Sequence, residues 1–273
     1  MKSSITRLLL LPVIAIWLAA SSTAQQTAAP VQQSPPADTS QAAKDHAQDK
    51  SKNNSNIKRQ EETGVSNDRL FYTLPNFLTV ETRNVPPLTP KQKFWVVTRG
   101  SFDYVVYPWY GFLAGISQLE NSEPGYGQGA AGYGKRYGAY FADGTIENYF
   151  TGAILPVVLR EDPRFYQLGK GGFWHRTGYA ISRIFVTRTD AGGERFNTSE
   201  IVGSAISAGI STYSYHPKGD RTLPNTGSVW GTQVGYDTLT IVVKEFWPDI
   251  RRKLRRKREP SSGANAATAN STE

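Results

Sequence analysis

"IENYFTGAILPVV", Ile146 to Val158, decides the fold class: Ile146, Phe150, Ala153, Ile154, Val157 and Val158 recur at i, i+4, i+7, i+8, i+11 and i+12. That is the repeat of one helix face, whereas a half-buried strand would alternate every second residue. Pro156 predicts a bend, because it lacks an N–H and its ring crowds the carbonyl one turn back.

The flanking segments carry the same signature. In "LTPKQKF", Thr89 is placed as N-cap, Pro90 as first helical residue and Gln92 as the partner in a capping box. Phe94, Val97, Ser101 and Val105 follow on one face, and Pro108 should break the element before "WYGFLAGISQLE". "GGFWHRTGYAISRIFVT" reads as a helix through Arg188, and "RTDAGGERFNTSEIVG" as a loop ending on Asn197, an N-cap with Glu200 three residues on. A small-residue helix, "SEIVGSAISAGIST", comes next, then a long one from about Ser228 to Phe246 that should stop before Pro248. Gly111/Gly115, Gly134/Gly138 and Gly231/Gly235 have the Gly-x-x-x-Gly spacing that lets helix backbones approach closely. The expectation is a mainly α, compact multi-helix bundle packed through glycine and other small residues. An outer-membrane β-barrel is the alternative that abundant aromatics and glycines permit, but the apolar period favours helices and the chain does not end on an aromatic strand.

At "REDPRFYQLG", Asp162 before Pro163 reads as the N-cap and first position of a short helix, "PRFYQL", closed by Gly169. Asp162 would then be occupied with backbone N–H groups, leaving Glu161 and Arg164 without assigned partners.

The ends of the chain differ from its middle. Lys2 and Arg7 precede an apolar run from Leu8 to Ala20, with Ser22 and Ala24 beyond it, the pattern of a secretory signal peptide over residues 1–24. Residues 25–66 are rich in Gln, Ala, Ser, Pro, Asn and Lys and read as a disordered spacer, and residues 260–273 as a disordered tail. A single helical domain is expected over 67–250, long enough for one sizeable core. No cysteine occurs, so neither disulfides nor a thiol nucleophile are available. The formal charge of +8 is concentrated at the C-terminal side: the basic segment 251–259, "RRKLRRKRE", carries seven cations and one acid, while the body is nearly neutral.

Candidate chemistry is sparse. The glycine-rich "PGYGQGAAGYG" contains no Walker-type run, and Gly127, Gly129 and Gly132 lack the preceding strand that a dinucleotide cradle needs. His175 and His216 form no His-x-x-x-His or Glu-x-x-His pair, so no metal and no cofactor is assigned, and both read as structural imidazoles. Ser204 and Ser207 lie on the small-residue helix without a nucleophile elbow. Asp143 and Glu147 are four apart on one helix face, and Asp237 interrupts another apolar segment. If buried, such acids need cations or donors. The catalytic candidates are therefore Asp143, Glu147, Glu161 and Arg164, as paired carboxylates with a neighbouring cation. For contact with an anionic surface the candidates are Arg251, Arg252, Lys253, Arg255, Arg256, Lys257 and Arg258, around the single apolar Leu254.

The blocks "RLFYTLPNF", "LTPKQKF", "SFDYVVYPWYGFLAGI", "GYGKRYGAYFAD", "REDPRFYQLGKGGFWHRTGYAISRIFVTRTD", "FNTSEIVG" and "KEFWPDI", spanning about Arg69 to Ile250, resemble an uncharacterised family of exported bacterial proteins. The resemblance implies export and one folded unit, and brings no activity with it.

The resulting expectation is an exported protein, periplasmic or associated with the outer membrane, with a structural or interaction role. Its basic segment would contact an anionic membrane surface or envelope polyanion rather than a specific nucleic acid. The alternatives are a hydrolase or lipid-modifying enzyme built on the helical carboxylates, and a carrier of hydrophobic ligands.

Overall fold

The computed structural model describes residues 69–70, 74–75, 78–80 and 85–258. The expected signal peptide, spacer and residues 260–273 lie outside the described residues. The described chain is the expected multi-helix bundle, with short strands of two to four residues in three small sheets.

Helix α1 spans Pro90–Ser101, and Thr89 caps it in a full capping box with Gln92. Helix α2 runs Val106–Glu120 and ends on Asn121 in the left-handed conformation. Helix α3, Gly129–Tyr149, continues through a π-helical turn, Phe150–Ile154, into α4, Leu155–Leu159. The opening stretch is thus one continuous helix. The bend expected at Pro156 is absorbed as the widened turn before it, where the N–H of Leu155 reaches back to the carbonyl of Phe150.

The "REDPRFYQLG" corner differs from expectation. Asp162 caps no helix: Glu161–Asp162 (β4) and Phe165–Tyr166 (β5) are short strands, and the Asp162 carboxylate accepts from the backbone N–H of Arg164 across the proline corner. Strand pairing drew this segment away from a helix. Strand β5 pairs in parallel with β3 (Thr79–Val80), in register Thr79 to Phe165, and β4 pairs antiparallel with β6 (Val186–Thr189). Strands β1 (Arg69–Leu70) and β2 (Leu74–Pro75) form a separate antiparallel pair.

Helix α5 spans Phe173–Phe185, and the chain then turns into β6 instead of remaining helical to Arg188. The segment expected as a loop is a hairpin of β6 with β7 (Glu194–Phe196). Asn197 caps α6, Thr198–Ser214, accepting from the N–H of Glu200. Helix α7 runs Leu223–Arg258 straight through Pro248, against the expected stop. Two side chains explain its survival. Pro248 cannot bond the carbonyl of Lys244, and the Gln167 amide does so instead, while Arg176 reaches the carbonyl of Glu245. The basic residues Arg251 to Arg258 are therefore the last turns of α7 and no separate segment.

Helices α2 and α3 pack as one hairpin and α6 and α7 as another, with α3 and the π turn against α6 and α5 against the later part of α7. The tightest glycine contacts are not at the Gly-x-x-x-Gly pairs. A Cβ would lie 1.8 Å from the Tyr110 hydroxyl on Gly144, 2.3 Å from the Gly127 carbonyl oxygen on Gly132 and 2.7 Å from Val97 on Gly152. Gly134, Gly138, Gly231 and Gly235 meet nothing and lie on exposed faces, and only Gly111 of those pairs touches a neighbour, Tyr133. Spacing alone could not say which face turns inward.

Candidate functional site

Helix α6 shows how unusual this interior is. Ser204, Ser207, Ser211 and Thr212 are each 0% exposed, while Val202 (41%), Ile206, Ile210 and Tyr213 (46%) form a stripe on the opposite face. A helix in water normally does the reverse. The inversion is broader: Lys93, Arg136, Arg164, Arg176, Glu161 and Glu245 are buried, whereas the compact apolar cluster is small, built on Leu88 and Val96. Among the described residues, no helix is long and apolar enough to cross a membrane.

Each buried ion has a particular solution. Arg136, between α2 and α3, meets no carboxylate; its guanidinium donates to Ser117 Oγ, Gln118 Oε1 and the carbonyls of Gly127 and Glu123. The glycine loop that resembled a phosphate cradle is thus closed by a cation of the same chain. Lys93 of α1 donates to the carbonyls of Pro156 and Glu161 and to both oxygens of Asp190, each at 2.8–3.1 Å. Arg176 of α5 pairs with Glu245 and Asp249 of α7, while Glu245 also accepts from the N–H groups of Leu168 and Gly169.

The corner residues have definite partners. Glu161 Oε2 accepts from the N–H of Ser199 in the first turn of α6, and Oε1 lies 3.2 Å from Arg195 Nε. A carboxylate at that helix terminus is favourable because exposed N–H groups make it electropositive. Arg164 forks onto Asp162 through Nε and Nη2 (2.8 and 2.6 Å), and the Tyr166 hydroxyl donates to the same carboxylate at 2.7 Å. A cavity of about 70 Å³ adjoins them, also lined by Arg183, Ser199 and Glu200. That is room for a few waters and far below the roughly 300 Å³ of ordinary ligand pockets. It does not reach Asp143 or Glu147.

Asp143 of α3 accepts from the Tyr215 hydroxyl, and its second oxygen lies 3.3 Å from His216 Nε2. Ser211 Oγ is 3.0 Å from that same nitrogen. A Ser-His-Asp relay needs the acid on one ring nitrogen and the serine on the other. Here both share Nε2 and Ser211 is fully enclosed, so the trio holds the α6–α7 turn against α3. Burial opposes charging of His216, but its contact with Asp143 prevails and its pKa is raised.

Glu147, one turn beyond Asp143, enters a different environment. Burial first, then the charges of Asp237, Glu200 and Asp143, push its pKa up to about 9. Burial raises the pKa of both Glu200 and Asp237, and the neighbouring Asp237 charge raises that of Glu200 further. The cation that offsets them is Lys244, whose own pKa burial lowers. Glu147 Oε1, Glu200 Oε1 and both amide atoms of the buried Gln233 have no hydrogen-bond partner. Arg136, Arg164, Arg176 and Arg183 are engaged elsewhere. Among the described residues no group of three or more His, Asp or Glu is arranged to hold a metal.

The four catalytic candidates thus separate into three places, and the structure joins Glu147 to residues that sequence reading passed over. Local spacing gives Glu200 only a helix-start role and gives Lys244 and Gln233 none. The available signal was the stripe Gln233, Asp237 and Lys244 at i, i+4 and i+11, a polar face on a helix otherwise rich in apolar residues. The basic candidates Arg251, Arg252 and Lys253 follow in the same helix, with Arg252 paired to Asp249.

No protein-family model, curated protein or solved structure matches the chain.

Proposed function

We propose that this is an exported, envelope-associated interaction protein that seats on an anionic membrane surface. The observation that carries the reading is the inverted α6, with its stripe of Val202, Ile206, Ile210 and Tyr213 outward and its hydroxyls inward. The neighbouring α7 exposes Tyr236 and Leu239 and ends in seven cations. An apolar helix face together with a basic helix end is the combination that lies in the headgroup region of a bilayer: the apolar side chains enter the acyl boundary and the cations meet anionic headgroups. The signal-peptide pattern of residues 1–24 supports the envelope as the setting. Occupied corner residues, and a cavity of only about 70 Å³ that meets Glu200 but not Asp143 or Glu147, weigh against a hydrolase.

Flotation of the purified chain with vesicles tests this. Association with vesicles containing phosphatidylglycerol is expected, with little association to pure phosphatidylcholine, and deletion of residues 251–258 or about 300 mM added salt should weaken it. The paired substitution Ile206→Ser and Ile210→Ser should weaken it as well. Undiminished association after both the deletion and the paired substitution would sink the reading, as would equal binding to both vesicle types.

A further inference from the structure

At the junction of α5 and α7 lies a cleft of about 460 Å³, lined by Gly171, Phe173, Arg176, Phe246, Asp249, Arg252 and Lys253. Its volume is that of a small-molecule site. The walls are of two kinds. Phe173 and Phe246 stack with ring centroids 5.1 Å apart, and the Arg176 guanidinium lies over the Phe246 ring at 4.5 Å. Arg176 is in turn held by Glu245 and Asp249, so the aromatic wall is braced rather than loose. Beside Phe173, Trp174 packs edge-on at 5.0 Å and is 81% exposed.

The other wall is cationic. Asp249 is already committed on both oxygens, to Arg176 and Arg252, so it offers the cleft little net negative charge. Lys253 is exposed, and no described acid pairs with it. The lining thus carries three cations against one engaged acid, directly beside a stacked aromatic pair. A structural role explains Arg176. It does not explain why Phe173 and Trp174 stand exposed at the mouth of a positively charged cleft.

We infer that this cleft binds a single anionic amphiphile of the phospholipid type, its phosphate on Arg252 and Lys253 and its acyl-proximal part along Phe173 and Phe246. The inference rests on the membrane-surface reading for where such a molecule is met, but the binding itself needs no bilayer. Phosphate supplies acceptor oxygens for the Lys253 ammonium and for the Arg252 donors that Asp249 leaves free, and the aromatic wall takes the apolar stem out of water. The site would select one lipid from the surface on which the α6 and α7 faces rest.

Isothermal titration of the full chain with dihexanoyl phosphatidylglycerol below its micelle concentration separates the two ideas, because no vesicle is present. One saturable site is expected, with affinity falling by about tenfold or more for dihexanoyl phosphatidylcholine and for glycerol phosphate, which lack the charge and the stem respectively. Phe173→Ala and Lys253→Glu, both at exposed positions, should each weaken binding by about tenfold while leaving the thermal unfolding midpoint in place. Absence of a saturable site, equal affinity for glycerol phosphate or the phosphatidylcholine, or unchanged binding in both variants would overturn the inference. Vesicle flotation can fail while this titration succeeds, and the reverse, so each reading stands or falls alone.

Discussion

The corner at Glu161–Arg164 and the α3–α6–α7 interior at Glu147, Glu200 and Asp237 are both places where this chain encloses carboxylates, and they do so in opposite ways. At the corner each acid faces a cation and a donor: Arg164 and Tyr166 on Asp162, and on Glu161 the Ser199 N–H, with Arg195 at ion-pair distance from its other oxygen. In the helical interior the acids face one another, with Lys244 as the offsetting cation, and among the described residues Glu147 Oε1 and Glu200 Oε1 have neither a donor nor an arginine. Donors make ionised acids a source of stability. Mutual proximity makes them tolerable only while protonated.

The largest expected effect is at the corner. Asp162→Ala leaves the buried Arg164 guanidinium without its carboxylate, so chemical denaturation should report a loss of about 3–5 kcal/mol. A loss near 1 kcal/mol would be the scale of a helix cap, and would mean that the ion pair matters less than its geometry suggests.

The interior acid responds in the opposite direction. Because the folded-state pKa of Glu147 is raised to about 9, the folded protein holds a proton that the unfolded chain gives up near the ordinary carboxylate value. The contribution of Glu147 to stability is therefore fullest below about pH 4.5 and declines as pH rises towards about 9. Glu147→Gln should be nearly neutral at pH about 4.5 and stabilising by on the order of 1–3 kcal/mol at pH about 8. Thermal unfolding across that range checks the sign. A variant destabilised equally at both ends would place Glu147 among ordinary ionised acids.

The smallest expected effect on stability lies outside both regions. Ile206→Ser turns the exposed stripe of α6 polar and should lower the unfolding free energy by about 1 kcal/mol, since the residue is 38% exposed and only partly packed. A loss above about 2 kcal/mol would mean that the stripe is covered in the isolated protein, which sedimentation would reveal as self-association.

Much of the fold was legible locally. Thr89 with Gln92, and Asn197 with the N–H of Glu200, are contacts between residues three apart, so sequence spacing alone places them. The apolar period of "IENYFTGAILPVV" likewise identified a helix without knowledge of its neighbours. Misreadings arose where a distant partner overrode a local signal. Asp162–Pro163 carries a sound helix-start signature, yet β6 captured Glu161–Asp162 as a strand partner. Pro248 carries a sound stop signature, yet Gln167 and Arg176 satisfied the carbonyls that a proline disturbs. The acid cluster was half legible: Asp143 and Glu147 share a face by spacing, but nothing local brings Glu200 and Asp237 to the second of them.

By itself, then, the sequence determined the helical class, the principal caps, the absence of thiol chemistry and the concentration of positive charge near the C-terminal side, because each depends on neighbours along the chain or on composition. Tertiary structure alone decided which helix faces turn inward, and it turned α6 with its hydroxyls to the interior and its isoleucines out. It also decided which acids meet donors and which meet each other. Those outcomes depend on contacts between residues tens of positions apart, and for a segment such as α6, apolar on one face and small and polar on the other, periodicity names two faces without saying which is buried.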